Sequence, residues 1–166
     1  MQNDFCVTRA GVSDVDEIFA LYHSLIDMPY STWDDEYPTY DIVLEDAEKH
    51  AILVMRDEDG KIAAAIALWQ ESEFADAAPW YPDVTRWAML CRLGVRRDMQ
   101  GRGIAKKMLL AAMDLAKAQG CEAVQFLVAK SNPIAQRAYA PLGFEICGEV
   151  ELWDEQWLCY QKRLAP

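Results

Sequence analysis

The chain has 166 residues, 52% hydrophobic and 26% charged, which supplies the apolar mass of one ordinary core and argues against disorder. Sixteen basic against 27 acidic residues leave a formal charge of −11, so general binding to nucleic acid or to an anionic membrane is not expected. The five cysteines include no C-x-x-C pair, no apolar run is long enough to span a bilayer, and Met1-Gln2-Asn3-Asp4 lacks the pattern of a secretory leader; a single cytoplasmic domain over 1–166, holding no metal, is the expectation.

In chain order, Asp4 to Arg9 alternates like a short strand. Ser13 with Asp16 three residues on resembles a capping box, and Ile18, Leu21, Tyr22 and Leu25 follow at helical spacing. Met28 to Tyr40, containing Trp33, Tyr37 and Pro38, reads as an aromatic loop; a second helix is expected over Thr39 to Lys49, burying Ile42, Val43 and Ala47. Ala51 to Arg56 and Lys61 to Trp69 are apolar runs joined by Asp57-Glu58-Asp59-Gly60, whose Asp-Gly pair signals a hairpin. Glu71 to Pro82 is a loop carrying Phe74, Trp80 and Tyr81. Trp87 to Val95 is a strand interrupted by Gly94, which predicts a bulge or a close backbone approach.

Gly101 to Gln119 is the clearest helix, with Ile104, Met108, Ala112 and Leu115 on one face and Gly120 as its stop. Ala123 to Ala129 is a strand rich in Val, Phe and Leu. Asn132-Pro133 opens a short helix that Pro141, lacking an N–H, should end near Ala140. Strands near Phe144 to Glu149 and Gln156 to Arg163 complete an α/β order in which helices pack on one central sheet.

Charge is unevenly spread. Met1 to Arg86 holds 19 acidic and 5 basic residues, net −14, whereas Trp87 to Pro166 holds 8 and 11, net +3. Arg92, Arg96, Arg97, Arg102, Lys106 and Lys107 crowd into one short stretch against Asp98 alone, which points to a local anionic ligand. There a strand ends, Gly101 and Gly103 follow, and a helix begins. Glycines admit close backbone approach, and the first N–H groups of the helix, reinforced by its dipole, favour a phosphate or pyrophosphate. The segment lacks the Gly-Lys-Ser/Thr of a Walker loop and the third glycine of a dinucleotide fingerprint.

Gln100-Gly101-Arg102-Gly103-Ile104-Ala105 resembles motif A, Gln/Arg-x-x-Gly-x-Gly/Ala, of the GNAT superfamily of N-acetyltransferases. Asn132-x-x-Ala135-x-x-x-Tyr139-x-x-x-Gly143-Phe144 looks like its motif B. Trp33…Tyr37-Pro38 and Trp157-x-Cys159-Tyr160 are similar to features of a group of small bacterial GNAT proteins. The resemblance implies acetyl-CoA, or another acyl-CoA, as co-substrate and an amine as acceptor. It implies pyrophosphate contacts from Gln100, Gly101, Arg102, Gly103, Ile104, Ala105 and Lys106, and backbone pairing of Leu93 and Val95 with the pantetheine arm. Asn132 would lie beside the cofactor, cap the Pro133 helix, or do both. Tyr139 would be the general acid for the departing thiolate, or an amphipathic core residue with a satisfied hydroxyl.

Element order and Gly94 predict a mixed, mostly antiparallel sheet split between its fourth and fifth strands, Trp87–Val95 and Ala123–Ala129. The function expected is acetyl transfer to a primary amine by direct attack in a ternary complex; the alternative is a non-catalytic acyl-CoA-binding sensor. No general base stands out: Glu36, Glu71 and Glu73 read as solvated surface, His23 and His50 as structural or exposed, and Cys91 as a small buried residue. Trp33, Tyr37, Phe74, Trp80 and Tyr81 are candidates for an acceptor wall or for core. The acidic first half suggests a cationic small-molecule or peptide amine, and exposed strand edges leave a homodimer open.

Overall fold

The computed structural model describes residues 6–70 and 78–165. Seven strands form one sheet in the order β1-β2-β3-β4-β5-β7-β6. They are β1 (Val7–Arg9), β2 (Ile52–Arg56), β3 (Ile62–Trp69), β4 (Trp87–Val95), β5 (Ala123–Ala129), β6 (Glu145–Leu152) and β7 (Glu155–Arg163). The helices are α1 (Val15–His23), α2 (Tyr40–Glu48), α3 (Ile104–Ala118) and α4 (Pro133–Tyr139). β1–β2, β2–β3, β5–β7 and β7–β6 are antiparallel, and β4–β5 is parallel. The β4–β5 ladder has three pairs, Trp87–Ala123, Ala88–Val124 and Met89–Gln125, and stops before Leu90 and Phe126. This is the mixed, split sheet expected from the sequence. Among the described residues no helix is long and apolar enough to cross a membrane.

The chain divides into two compact units, Met1–Ala67 with Arg92–Ala112, and Leu68–Cys91 with Met113–Pro166. In the first, α1 turns Ile18, Leu21 and Tyr22 onto a core shared with Val43 and Ala47 of α2 and with Ile52, Val54, Ile62 and Ala65. β3 is buried from Ile62 to Leu68, so it reads as a continuous apolar run rather than an alternating one. Each large aliphatic side chain placed this way contributes about 1.5–3 kcal/mol. Thr39 caps α2 by accepting from the Ile42 N–H at 3.1 Å.

In the second unit β5 and β7 pair over seven residues, and Phe126, Tyr139, Phe144 and Tyr160 pack their rings together with centroids 4.8–6.5 Å apart. A buried amide thread crosses the same unit. Gln161 donates to Gln125 Oε1 at 3.1 Å and accepts from the Tyr81 N–H at 2.8 Å.

The structure corrects several expectations. The first helix does not start on a Ser13 box: Val12–Asp14 is a 3₁₀ turn, and the Asp14 carboxylate takes the Gly11 N–H at 2.9 Å. α3 begins at Ile104 rather than Gly101. β6 runs on to Leu152, forming a longer hairpin with β7 than the sequence suggested. Gly94 is not the kinked residue of β4. The left-handed one is Arg92, at φ +51°. Gly94 serves the other role foreseen for it, close approach, because a Cβ there would lie 3.1 Å from both Tyr22 Cδ1 and Leu25 Cδ1.

Candidate functional site

The loop between β4 and α3 lies in the first unit. Gly101 and Gly103 adopt φ +77° and +76°, which L side chains rarely adopt, and a Cβ on either would meet open space. Their presence is therefore a backbone requirement. The first helical bond runs from the Lys107 N–H to the Gly103 carbonyl at 3.2 Å. The N–H groups from Arg102 to Lys106 consequently have no acceptor among the described residues, and they form the donor row of a helix N-terminus. Ile104 is buried and Ala105 half-buried, so both would act through the backbone.

The six cations of this stretch are not equivalent. Arg92 is bound to Asp46. Arg96 is shared between Asp98 at 2.6 Å and Asp57 at 2.9 Å, and Arg97 is held by Asp27 and the Ser24 carbonyl. Each of these three arginines is thus engaged by a carboxylate of the protein itself. Arg102, Lys106 and Lys107 are exposed and have no ion pair among the described residues. The free positive charge thus gathers at the N-terminal turn of α3, where the dipole and the open N–H row already favour an anion. A diphosphate fits this donor set.

Gln100 is exposed and donates through its amide to the Val95 carbonyl at 2.9 Å, bracing the loop against the end of β4. Leu93 and Val95 are both half-buried on that strand. Arg92, the kinked residue itself, is held by a carboxylate and a hydroxyl from outside the strand. Its Nε and Nη2 grip both oxygens of Asp46 at 2.7–2.9 Å, and Nη1 donates to the Tyr37 hydroxyl at 3.1 Å. The Asp46 side chain is 1% exposed. A left-handed non-glycine residue costs about 1–2 kcal/mol, so Arg92 keeps that conformation against its own preference. The sequence reading missed Asp46, although a carboxylate on the Val43–Ala47 face of an amphipathic helix is a signal that a buried cation must answer it.

In the second unit, Asn132 caps α4, its Oδ1 accepting from the Ala135 N–H at 3.0 Å. The capping role is thus present, and the amide nitrogen is left for any further contact. Tyr139 ends α4 half-buried, its ring edge-on to Phe126 at 5.2 Å and to Tyr160 at 6.5 Å. Burial pushes its phenol up to about 12, and neighbouring Tyr160 adds to the effect. The hydroxyl has no hydrogen-bond partner among the described residues. The ring is therefore core, while the hydroxyl is not consumed by it.

Of the other candidates, Glu36 is exposed in the first unit and Trp33 stacks edge-on against Tyr22 at 5.1 Å. Tyr81 donates to Glu145 at 2.5 Å, and Arg163 lies 4.4 Å over its ring. Glu71, Glu73 and Phe74 lie outside the described residues.

A split mixed sheet, a glycine loop, a cationic helix N-terminus and a row of open N–H groups define an α/β protein whose helix start favours an anion. The family model of the acetyltransferase (GNAT) family matches residues 18–144, and the chain belongs to that family. The chain is 26% identical over 152 residues to an L-methionine sulfoximine/L-methionine sulfone acetyltransferase of Pseudomonas aeruginosa, covering 87% of this chain and 82% of that protein. In fold it is similar to a GNAT-family acetyltransferase of Streptococcus agalactiae, at TM-score 0.80 and 22% identity over 99% and 98% of the two chains. It is similar also to the yncA protein of Salmonella typhimurium, solved with its cofactor acetyl-CoA, at TM-score 0.76 and 17% identity over 99% and 96%.

Proposed function

We propose that this protein is a cytoplasmic N-acetyltransferase that moves an acetyl group from acetyl-CoA to a primary amine by direct attack in a ternary complex. The observation that carries the reading is the loop at the start of α3, where the N–H row from Arg102 to Lys106 coincides with three cations that have no ion pair among the described residues. Gln100, Gly101, Arg102, Gly103, Ile104, Ala105 and Lys106 are assigned to the pyrophosphate, the backbone of Leu93 and Val95 to the pantetheine arm, and Asn132 to a flank of the cofactor. When bound, the thioester supplies the activated acetyl group and a thiolate leaving group.

The protein's contribution is then positioning and charge stabilisation rather than covalent chemistry. Tyr139 is assigned to the thiolate. With its own pKa near 12 it is a weaker acid than an ordinary thiol, which ionises near about 8.5. Its phenol therefore keeps its proton and stabilises the thiolate by donating a hydrogen bond.

The acceptor is a primary amine. Asp27, Asp46 and Asp57 of the acidic half are engaged by arginines, so the local field is weaker than the charge sum suggests. The Pseudomonas relative is named for zwitterionic amino-acid derivatives, which belong beside polyamines, aminoglycosides and peptides in an acceptor panel. Thiol release from acetyl-CoA across that panel, with mass spectrometry of the amines, tests the reading. Release that depends on one amine class and yields its acetylated form supports it. Tight CoA binding with no release on any amine favours the sensor.

A further inference from the structure

We propose that Arg92 is a positioning residue for the cofactor strand: clamped by Asp46 and Tyr37, it holds the left-handed kink that sets how Leu93 and Val95 present their backbone. The proposal rests on the acyl-CoA reading above. A long side chain at φ +51° in mid-strand is unfavourable for any residue except glycine, and glycine is not used there. The side chain instead secures the conformation from outside the strand. A guanidinium bound through two nitrogens to both oxygens of one carboxylate is fixed in direction as well as distance. Asp46 is rigid in turn, since it sits on α2 between the core residues Val43 and Ala47.

A second tie falls on the same strand two residues later. Gly94 lies against Tyr22, and Tyr22 stacks on Trp33. The aromatic loop that carries Trp33 and Tyr37 therefore braces β4 at two successive positions of one face, through Tyr22 at Gly94 and through Tyr37 at Arg92. Leu93 stands between those positions and Val95 directly after them. A strand pinned in this way offers its backbone to a ligand in a fixed register, as strand addition requires.

The test exploits the difference between alanine and glycine at position 92. Asp46→Asn is combined with Arg92→Ala or with Arg92→Gly, so that neither variant leaves an unpaired buried charge, and CoA affinity and the urea unfolding midpoint are measured on both. With alanine the kink is unsupported, and CoA binding should weaken about 10- to 100-fold, the scale of a small misplacement of a binding group. Glycine accepts the left-handed conformation unaided and should recover much of that affinity. A purely structural role predicts a lowered unfolding midpoint with the CoA affinity of the folded protein unchanged in both variants. Tyr37→Phe removes a single hydroxyl and keeps the ring, and should weaken CoA about two- to fivefold. Wild-type affinity in the alanine variant, or equal losses with alanine and glycine, overturns the positioning role. Failure of the wild-type protein to bind CoA overturns the acyl-CoA reading itself, and the positioning role with it.

Discussion

Gly94 of β4 and Tyr22 of α1 touch so closely that a single added methyl group would sit 3.1 Å from the tyrosine ring. Tyr22 is fully buried and stacked on Trp33, so it has little room to move aside. Gly94→Ala should therefore destabilise the protein by about 1–3 kcal/mol through overpacking. Urea denaturation checks this. An unchanged midpoint would mean that the ring yields more readily than its packing suggests.

The glycines of the α3 loop should respond differently, because no neighbour crowds them. Gly103→Ala and Gly103→Val both force a side chain into φ +76°. The β-branched valine should be the worse, and the cost should appear as lost CoA affinity of about 1–3 kcal/mol, the worth of one or two charge-assisted hydrogen bonds. Calorimetric titration of CoA, with circular dichroism to confirm folding, distinguishes this from simple unfolding.

Tyr139→Phe keeps the ring packing against Phe126 and removes only the hydroxyl. Turnover should fall roughly 10²- to 10⁴-fold with CoA affinity nearly unchanged. Because the folded phenol titrates near 12, the neutral form is favoured in the native state. The stability linked to it is intact below the ordinary tyrosine value near about 10 and is lost as pH rises through the folded value. Stability of the wild-type protein should thus decline from about pH 10 upward, and the decline should be shallower in Tyr139→Phe.

At the acid end the sign reverses. Glu122 is held below the usual carboxylate range by the N–H of Arg86, then by the hydroxyl and N–H of Thr85. Asp57 is lowered first by the Lys61 N–H, with burial opposing and Arg96 adding to the effect. Groups depressed in the folded state stabilise it above their unfolded values, and that stability is lost as pH falls from about 4 through the folded values. Glu122→Gln and Asp57→Asn should each flatten the acid limb of stability plotted against pH.

Much of this was legible in the sequence wherever local chemistry decides the outcome. The alternating and helical periodicities located the described strands and α-helices to within a few residues, and the Asp59-Gly60 hairpin joins β2 to β3 as expected. The Gly101-Arg102-Gly103 loop and the Asn132 cap could be read because their backbone demands are local. Relationships between distant residues could not. Asp46 and Arg92 are 46 positions apart, and nothing in either neighbourhood names the other. The same holds for Arg96 with Asp57, which is why all six cations looked equally available. The buried Gln125–Gln161 pair, 36 residues apart, was hidden for the same reason.

The central claim is that the start of α3 receives the phosphates of CoA, and calorimetric titration of CoA into the wild-type protein and into Arg102→Ala/Lys106→Ala, each at low and high salt, tests it most directly. The wild-type protein should bind saturably, with an affinity that falls as salt rises. The double variant should bind more weakly by about 1–3 kcal/mol, with a shallower salt dependence. Undetectable CoA binding by the folded wild-type protein, or equal affinity in the double variant at both salt concentrations, would contradict it.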